Sequence, residues 1–362
     1  MSVLPVTISA GAEEQALVAV VVPAYQAERT IDRTISSVLA QTHPNLEVIV
    51  VDDGSTDGTV QRVGEWVQRD PRVRLIRQAN RGPAAARNTG ARQSRAEFLA
   101  FVDADDLWHP EKIERQLARM HEGPPETVFV YSPFRVIDDT DRVRQSPYCY
   151  GCEGAVHLRH WLYNFVGNGS GLMVRRGSFE RVGGFDERPE VIGCEDLLLQ
   201  LRLAMIGPVA VVPSYLVGYR VGESSLSRRY ERMFQTRRMV AGMTASEIRG
   251  MPLRLRRWGA ASLRLDLAQQ MMRVGNWLRA AVCLLLAGMR DPVALGDRLT
   301  VLLPIAIRRL RGRSETRNSE PSDSRAFHEW AADEPGGGKA RPLLLRRLAW
   351  LERLEKPAPS ER

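Results

Sequence analysis

Cysteine is scarce, with four residues at 149, 152, 194 and 283 in a chain of 362. That number excludes a disulfide framework in a chain this long and fits a reducing, cytoplasmic setting. Long apolar runs are missing too. The longest, Ala280–Met289 and Val301–Ile307, fall short of the roughly 18 residues a membrane span needs. Residues 1–16 have neither a basic start nor an apolar core, and Glu13 and Glu14 stand where that core would lie, so no signal peptide is expected. Lysine is nearly absent: only positions 112, 339 and 356 carry it, and 48 of the 51 cations are Arg, a bias without functional weight of its own.

What is present is 44% hydrophobic and 26% charged, which excludes disorder of the whole chain. The length suggests one large α/β domain with an appendage. Charge divides the chain. Residues 220–313 hold 19 Arg against 6 acids, net +13, leaving the remainder at −5 for a total of +8. A basic stretch of this kind attracts lipid phosphate, nucleic acid or anionic substrates, and its sign does not choose among them.

The first hundred residues alternate strand and helix patterns. Strands are expected at Leu17–Val22, Glu47–Val51, Val73–Ile76 and Phe98–Val102. Helices are expected at Arg29–Gln41, from Asp57 through Gln68, and at Pro83–Gln93. Such alternation implies a mostly parallel sheet flanked by helices, with ligands beyond the carboxyl ends of the strands. The middle is irregular apart from a helix at Glu195–Ile206. Residues 228–313 form a basic helical extension, in which Trp258–Leu286 reads as one antiparallel pair touching at Ala260, Ala268, Ala280 and Ala281. Residues 314–342 read as a flexible linker by composition. Residues 343–362 end the chain with an amphipathic helix at Leu343–Leu354, its stripe made of Leu344, Leu348 and Leu351.

Chemistry is concentrated at strand ends. Asp103-Ala104-Asp105-Asp106 follows an apolar strand. Three carboxylates in four residues repel one another without a cation, and such hard oxygen ligands suit Mg²⁺ or Mn²⁺ bound with a diphosphate. The same residues also suit a solvated turn capping the next helix. Asp53 reads as a hydrogen-bond acceptor for a base N–H or as a turn residue beside Gly54. Arg81 and Arg87 flank a helix start and suit phosphate oxygens or surface ion pairs. Glu195 and Asp196 open a helix, where acids complement the dipole or serve as a base. Cys149, Cys152, His157 and His160 approach a zinc pattern, but Leu162 stands where another Cys would be needed, so acceptor-loop residues are the preferred reading. Gly167, Gly169 and Gly171 suggest a loop that lets another group come close.

Taken in order, VVVPAY (20–25), VVDDGSTDGT (50–59), NRGPAAARNTG (80–90), FVDADD (101–106), Gly183-Gly184-Phe185-Asp186 and Glu195-Asp196 resemble the family 2 glycosyltransferases, inverting and nucleotide-sugar dependent, with a GT-A fold, over about residues 17–227. The resemblance implies that Pro23, Ala24, Tyr25, Asp53, Arg81, Arg87, Asn88, Asp103 and Arg220 bind a nucleotide sugar, UDP- or dTDP-linked by the acceptor character of Asp53. It implies that Asp105 and Asp103 hold Mn²⁺ or Mg²⁺, and that Asp196, beside Glu195, is the base. Gly222 replaces the His that many relatives use as a metal ligand, leaving Arg220 and Ser227 to face the diphosphate. The expected partners are the donor and a glycan or lipid-linked acceptor; the apolar stripes at 299–307 and 343–354 are expected either to touch an anionic membrane face peripherally or to pack on the catalytic domain or in a dimer, and no nucleic acid polymer is expected. The alternatives are a non-catalytic sugar-nucleotide-binding scaffold and a nucleotidyltransferase, the latter disfavoured because Pro23-Ala24-Tyr25 is no Gly-rich phosphate loop.

Overall fold

The structure, a computed structural model, describes residues 16–222, 230–310, 325–333 and 338–356. The chain starts with β1 (Val18–Ala24), α1 (Ile31–Leu39), β2 (Leu46–Asp52), α2 (Thr59–Arg69), β3 (Val73–Arg77), α3 (Pro83–Arg92) and β4 (Phe98–Phe101). These lie within a few residues of the expected elements. A two-residue β5 (Leu107–Trp108) leads to α4 (Lys112–Glu122), then β6 (Phe129–Tyr131), β7 (Phe134–Ile137), β8 (Val143–Gln145), α5 (His157–Leu162), β9 (Leu172–Arg175), α6 (Arg176–Arg181), α7 (Glu195–Ala204), β10 (Val209–Val211) and β11 (Val217–Arg220). Helices close the chain: α8 (Tyr230–Glu247), α9 (Leu253–Arg273), α10 (Trp277–Gly288), α11 (Pro292–Leu310) and α12 (Pro342–Glu355).

Seven strands form one sheet in the order β10-β6-β9-β4-β1-β2-β3, and a four-stranded sheet has the order β5-β11-β7-β8. In the large sheet only β9 runs antiparallel to its neighbours, β4 and β6. The unbroken apolar run of β1 has the composition of a strand covered on both faces, and Val18–Val22 have no exposed surface. Pairing of Val21 with Phe101 and of Ala24 with Asp52 brings three polar strand ends to one edge of the sheet. Helix α3 comes unusually close to that sheet. A Cβ on Gly90 would sit 2.4 Å from Val21 Cγ1, so only glycine allows the approach.

The helical extension contains the expected pair. Ala268 of α9 and Ala280 of α10 are buried in one cluster with Leu267, Met271, Met272, Cys283 and Leu302. Ala281 faces outward, one step around the helix from Ala280. All four cysteines are free.

The end of the chain departs from the linker expectation. Within 314–342, residues 325–333 pack against the small sheet. Phe327 is buried with Leu107, Ile137 and Val143, and Tyr215 N–H donates to the Ala332 carbonyl at 2.7 Å. The Arg135 guanidinium stacks over Trp330 at 4.2 Å. A few apolar side chains were enough to dock a stretch whose Ser and Gly content suggested flexibility; 314–324 and 334–337 lie outside the described residues. Helix α12 is docked as well. Leu348 and Leu351 are buried, and Trp350 meets Trp258 edge to face at 5.3 Å. The buried Glu355 carboxylate accepts from Leu158 N–H at 2.5 Å, Arg159 N–H at 3.0 Å and Arg159 Nε at 2.6 Å. The stripe of α12 therefore faces protein, the packed one of its two expected placements.

Glu355→Ala removes the carboxylate that balances the buried Arg159 guanidinium, which keeps its bonds to the Glu153 and Ala155 carbonyls, and takes the acceptor from the Leu158 and Arg159 N–H groups. Losing one member of a buried pair costs about 3–5 kcal/mol. Urea unfolding should show that loss; a change below about 1 kcal/mol, the worth of an exposed pair, would mean that α12 is not anchored through Glu355.

Candidate active site

The site forms where β1, β2 and β4 end. At the tip of β1, the Ala24 carbonyl accepts from Asp53 N–H at 2.8 Å, Pro23 pairs with Val51, and the Tyr25 ring is 54% exposed. Asp53 itself is buried. Its Oδ1 accepts from Gln78 Nε2 at 2.7 Å and Arg81 N–H at 2.9 Å, and its Oδ2 accepts from Gly82 N–H at 2.8 Å. Gly82, at φ +88°, makes the turn into α3. Asp53 thus fixes the loop that presents the start of α3 and keeps about one of its four lone-pair positions for another donor.

Arg87 is the centre of the arrangement. It projects from α3 and is buried, with Nη2 on Asp103 Oδ1 at 2.5 Å and Nη1 on Glu195 Oε1 at 3.0 Å. Phe185 lies under the guanidinium at 5.2 Å. The two carboxylates more than offset burial and hold its pKa above the ordinary arginine value. Glu195 Oε2 accepts from Gly193 N–H at 2.6 Å, so this acid is occupied on both oxygens. Asp196, the next residue in the first turn of α7, takes only the N–H of Leu197 among the described residues, at 2.7 Å. Burial and the charge of Glu195 push its pKa up to about 7. In the glycine cluster the close approaches are at Gly167, where a Cβ would lie 2.3 Å from Phe134 Cε1, and at Gly171, where it would lie 2.9 Å from the Ser132 carbonyl oxygen; at Gly169 it would make ordinary contact, 3.7 Å from Asp196 Cβ.

The three acids after β4 do different things. Asp103 is half-buried and held by Arg87. Asp106 is fully buried, accepting from Ser170 Oγ at 2.5 Å and Arg220 N–H at 2.8 Å. Asp105 has a carboxylate with no other side chain bonded to it among the described residues, and burial plus the charge of Asp103 raise its pKa to about 6. An unpaired carboxylate beside a second one fits a hard divalent cation that takes its remaining ligands from diphosphate and water. No group of three or more His, Cys, Asp or Glu placed to hold a metal occurs among the described residues.

Several expected binders have other partners. Arg220 is buried; its Nε donates to the Asp105 carbonyl at 2.7 Å, Nη1 to the Asp138 carbonyl and Nη2 to Asp141 Oδ1. It staples β11 beneath the acidic loop instead of facing a diphosphate. Asn88 is a clamp: Nδ2 donates to the Phe185 carbonyl at 2.8 Å and Oδ1 accepts from Phe185 N–H at 2.9 Å. Arg81 is half-exposed and paired with Glu187 at 2.5 Å. Ser227 lies outside the described residues. His160 bonds to Gln200 at 3.1 Å, and His157 lies 4.0 Å from Glu355, so the zinc pattern does not close into a site. The sequence reading missed Ser170, whose hydroxyl also accepts from Asp103 N–H at 3.0 Å, although the glycine cluster around it marked the place.

Residues 19–183 match the family model for Glycosyl transferase family 2. The chain carries a family 2 glycosyltransferase domain. Among its relatives is WfgD of Escherichia coli, a UDP-Glc:alpha-D-GlcNAc-diphosphoundecaprenol beta-1,3-glucosyltransferase, 38% identical over 128 residues, or 35% of this chain and 49% of that protein. An uncharacterized glycosyltransferase of Rickettsia felis is 36% identical over 129 residues, or 36% of this chain and 21% of that protein. The chain thus spans less than half the length of either relative. Its fold is similar to the mannosyltransferase PcManGT of Pyrobaculum calidifontis in complex with GDP-Man and Mn²⁺, with TM-score 0.55, 21% identity and 82% of each chain covered. It is similar also to S. aureus TarS 1-349 in complex with UDP-GlcNAc, with TM-score 0.52 and 19% identity over 82% of this chain and 92% of that one. The glycosyltransferase domain has the GT-A fold.

Arg87→Met should leave Asp103 and Glu195 as uncompensated charges. The variant should be destabilised by about 3–5 kcal/mol at pH 8. Protonation of the released carboxylates relieves their repulsion, so the deficit should shrink at pH 5. Urea midpoints at the two pH values measure this; an equal deficit at both would refute the ion-pair account.

Proposed function

We propose that the chain transfers a sugar from a nucleotide diphosphate donor, UDP- or dTDP-linked, to a hydroxyl of a lipid-linked or glycan acceptor in cell-envelope polysaccharide assembly. The carrying observation is the Arg87 bridge, which ties the Asp103–Asp106 loop to Glu195-Asp196 in a family 2 domain. UDP donors are supported by the activity of WfgD and by the UDP-GlcNAc held by TarS, and a diphospholipid acceptor by WfgD.

In this reading the donor base lies against Pro23, Ala24 and Tyr25, and its N3–H reaches the open lone pair of Asp53. The start of α3, with Arg81 able to turn from Glu187, meets the phosphates. Asp105 and Asp103 would hold Mn²⁺ or Mg²⁺, which offsets negative charge on the departing diphosphate; PcManGT with Mn²⁺ supports this choice. Asp196 takes the proton from the acceptor hydroxyl. The acceptor oxygen bonds to the anomeric carbon as the bond from that carbon to the diphosphate oxygen breaks, and a single displacement inverts the centre. Glu195 does not compete for the proton, because both its oxygens are already bonded.

A second reading concerns the membrane. One face of α10 is apolar and open to solvent: Leu278 is 80% and Leu285 65% exposed, with Val282 and Met289 on the same stripe. No described helix is long and apolar enough to cross a membrane. An apolar stripe in a basic region suits contact with the surface of an anionic bilayer.

Release of nucleoside diphosphate from a donor panel, with and without divalent metal, tests the activity. Asp196→Asn should bind donor normally yet lose about 10²–10⁴-fold in turnover, and Asp105→Asn should abolish metal stimulation. With Asp196 titrating near 7, kcat/KM should fall as pH drops through 7 and level off above it. Unchanged turnover in Asp196→Asn would remove the base assignment.

Vesicle co-sedimentation tests the membrane reading. Recovery should require anionic lipid, weaken with salt and drop in the double variant Leu278→Asp, Leu285→Asp. Equal recovery with neutral vesicles, or none with either, would reject it.

A further inference from the structure

A cavity of about 330 Å³ opens between α5, α7, α8 and α9. Its apolar wall includes Leu197, Leu201 and Phe234, while five arginines and no acid line it. Among the described residues Arg237 alone of the five faces an acid, Asp266 at 4.0 Å. Arg264 Nη1 donates to the Ala260 carbonyl at 3.0 Å and Arg290 Nη1 to the Leu286 carbonyl at 3.1 Å, bonds that neutralise no charge. Arg238 has neither an ion pair nor a hydrogen bond among the described residues. Burial and the charges of Arg290 and Arg238 press the Arg264 pKa below its ordinary value.

The charges of Arg238, Arg264 and Arg290 repel one another across the cavity, and an anion bound between them would relieve that repulsion. Apolar walls beside them select an anion with a hydrocarbon part. Leu197 directly follows Asp196, so the cavity runs along the same helix that carries the proposed base. We propose that this cavity binds the phosphate and first hydrocarbon units of a phosphorylated lipid, the carrier end of the acceptor. The proposal rests on the lipid-linked acceptor reading and adds the residues that would recognise it: Arg238, Arg264 and Arg290 for phosphate, and Leu197, Leu201 and Phe234 for the chain.

Calorimetric titration of the full chain with farnesyl phosphate, inorganic phosphate and farnesol tests it. Farnesyl phosphate should bind, with the other two at least about ten-fold weaker, because each lacks half of the recognised chemistry. Arg238→Gln, Arg264→Gln and Arg290→Gln should each weaken farnesyl phosphate about ten-fold or more, the scale of one charge-assisted hydrogen bond. All three should keep the wild-type circular dichroism spectrum. Inorganic phosphate binding equally well would make this a simple anion site and overturn the lipid assignment; equal farnesol binding would overturn the phosphate assignment. Wild-type affinity in all three variants, or no binding by the wild type, would also overturn it. Failure of the transferase reading is separate: it would show as absent diphosphate release while farnesyl phosphate still bound.

Discussion

A guanidinium removed from water must keep its charge balanced, and that requirement organises this molecule around Arg87. Moving an isolated ion of this size into a low-dielectric interior costs on the order of 20 kcal/mol in the idealised limit, and several after relaxation. Asp103 and Glu195 supply the balance from positions 16 and 108 residues away in sequence. The loop after β4 and the start of α7 are therefore drawn to the same point on α3. Asn88, one residue on, clamps the backbone of Phe185, whose ring lies under the guanidinium. Because Arg87 occupies Glu195, the adjacent Asp196 is left as the acid with spare capacity, and its surroundings raise its pKa into the range a base requires.

The other acids show the same economy of partners. Asp106 is bonded to Ser170 and to the backbone of Arg220, and Asp53 to the loop before α3. Those carboxylates build the frame. Asp105 remains unpaired at the edge of that frame, where a cation would relieve its repulsion with Asp103. Ser170 links the frame to the floor of the site, accepting from Asp103 N–H and donating to Asp106.

Around this centre the rear of the chain forms a second body of contacts rather than a loose appendage. Helix α12 is fixed to α5 through Glu355 and Arg159, and residues 325–333 lie along the small sheet. Packing those elements inward leaves α10 with its apolar face outward and gathers arginines at the junction with α7. Five of the nineteen arginines in 220–313 thus line the cavity beside the helix that carries the proposed base.

The sequence by itself determined the alternation of strands and helices, the continuous burial of β1, the small-residue contact of α9 with α10 and the identity of the acidic motifs. Each of these is local: a period of two or 3.6, an apolar run, or a carboxylate cluster at a strand end. Tertiary structure decided which acid does what. Nothing in the spacing of Asp103, Asp105 and Asp106 shows that one meets Arg87, one stays open and one is sealed beneath Ser170. The same holds for Arg220, which the motif assigned to the donor and which folding directs to Asp138 and Asp141. The docking of Phe327 and Glu355 was also hidden, because composition averages over a segment whereas burial depends on the few side chains that find a partner. A hydrogen-bonding group has several possible partners in a chain, and only the closed fold settles which of them comes within 3 Å.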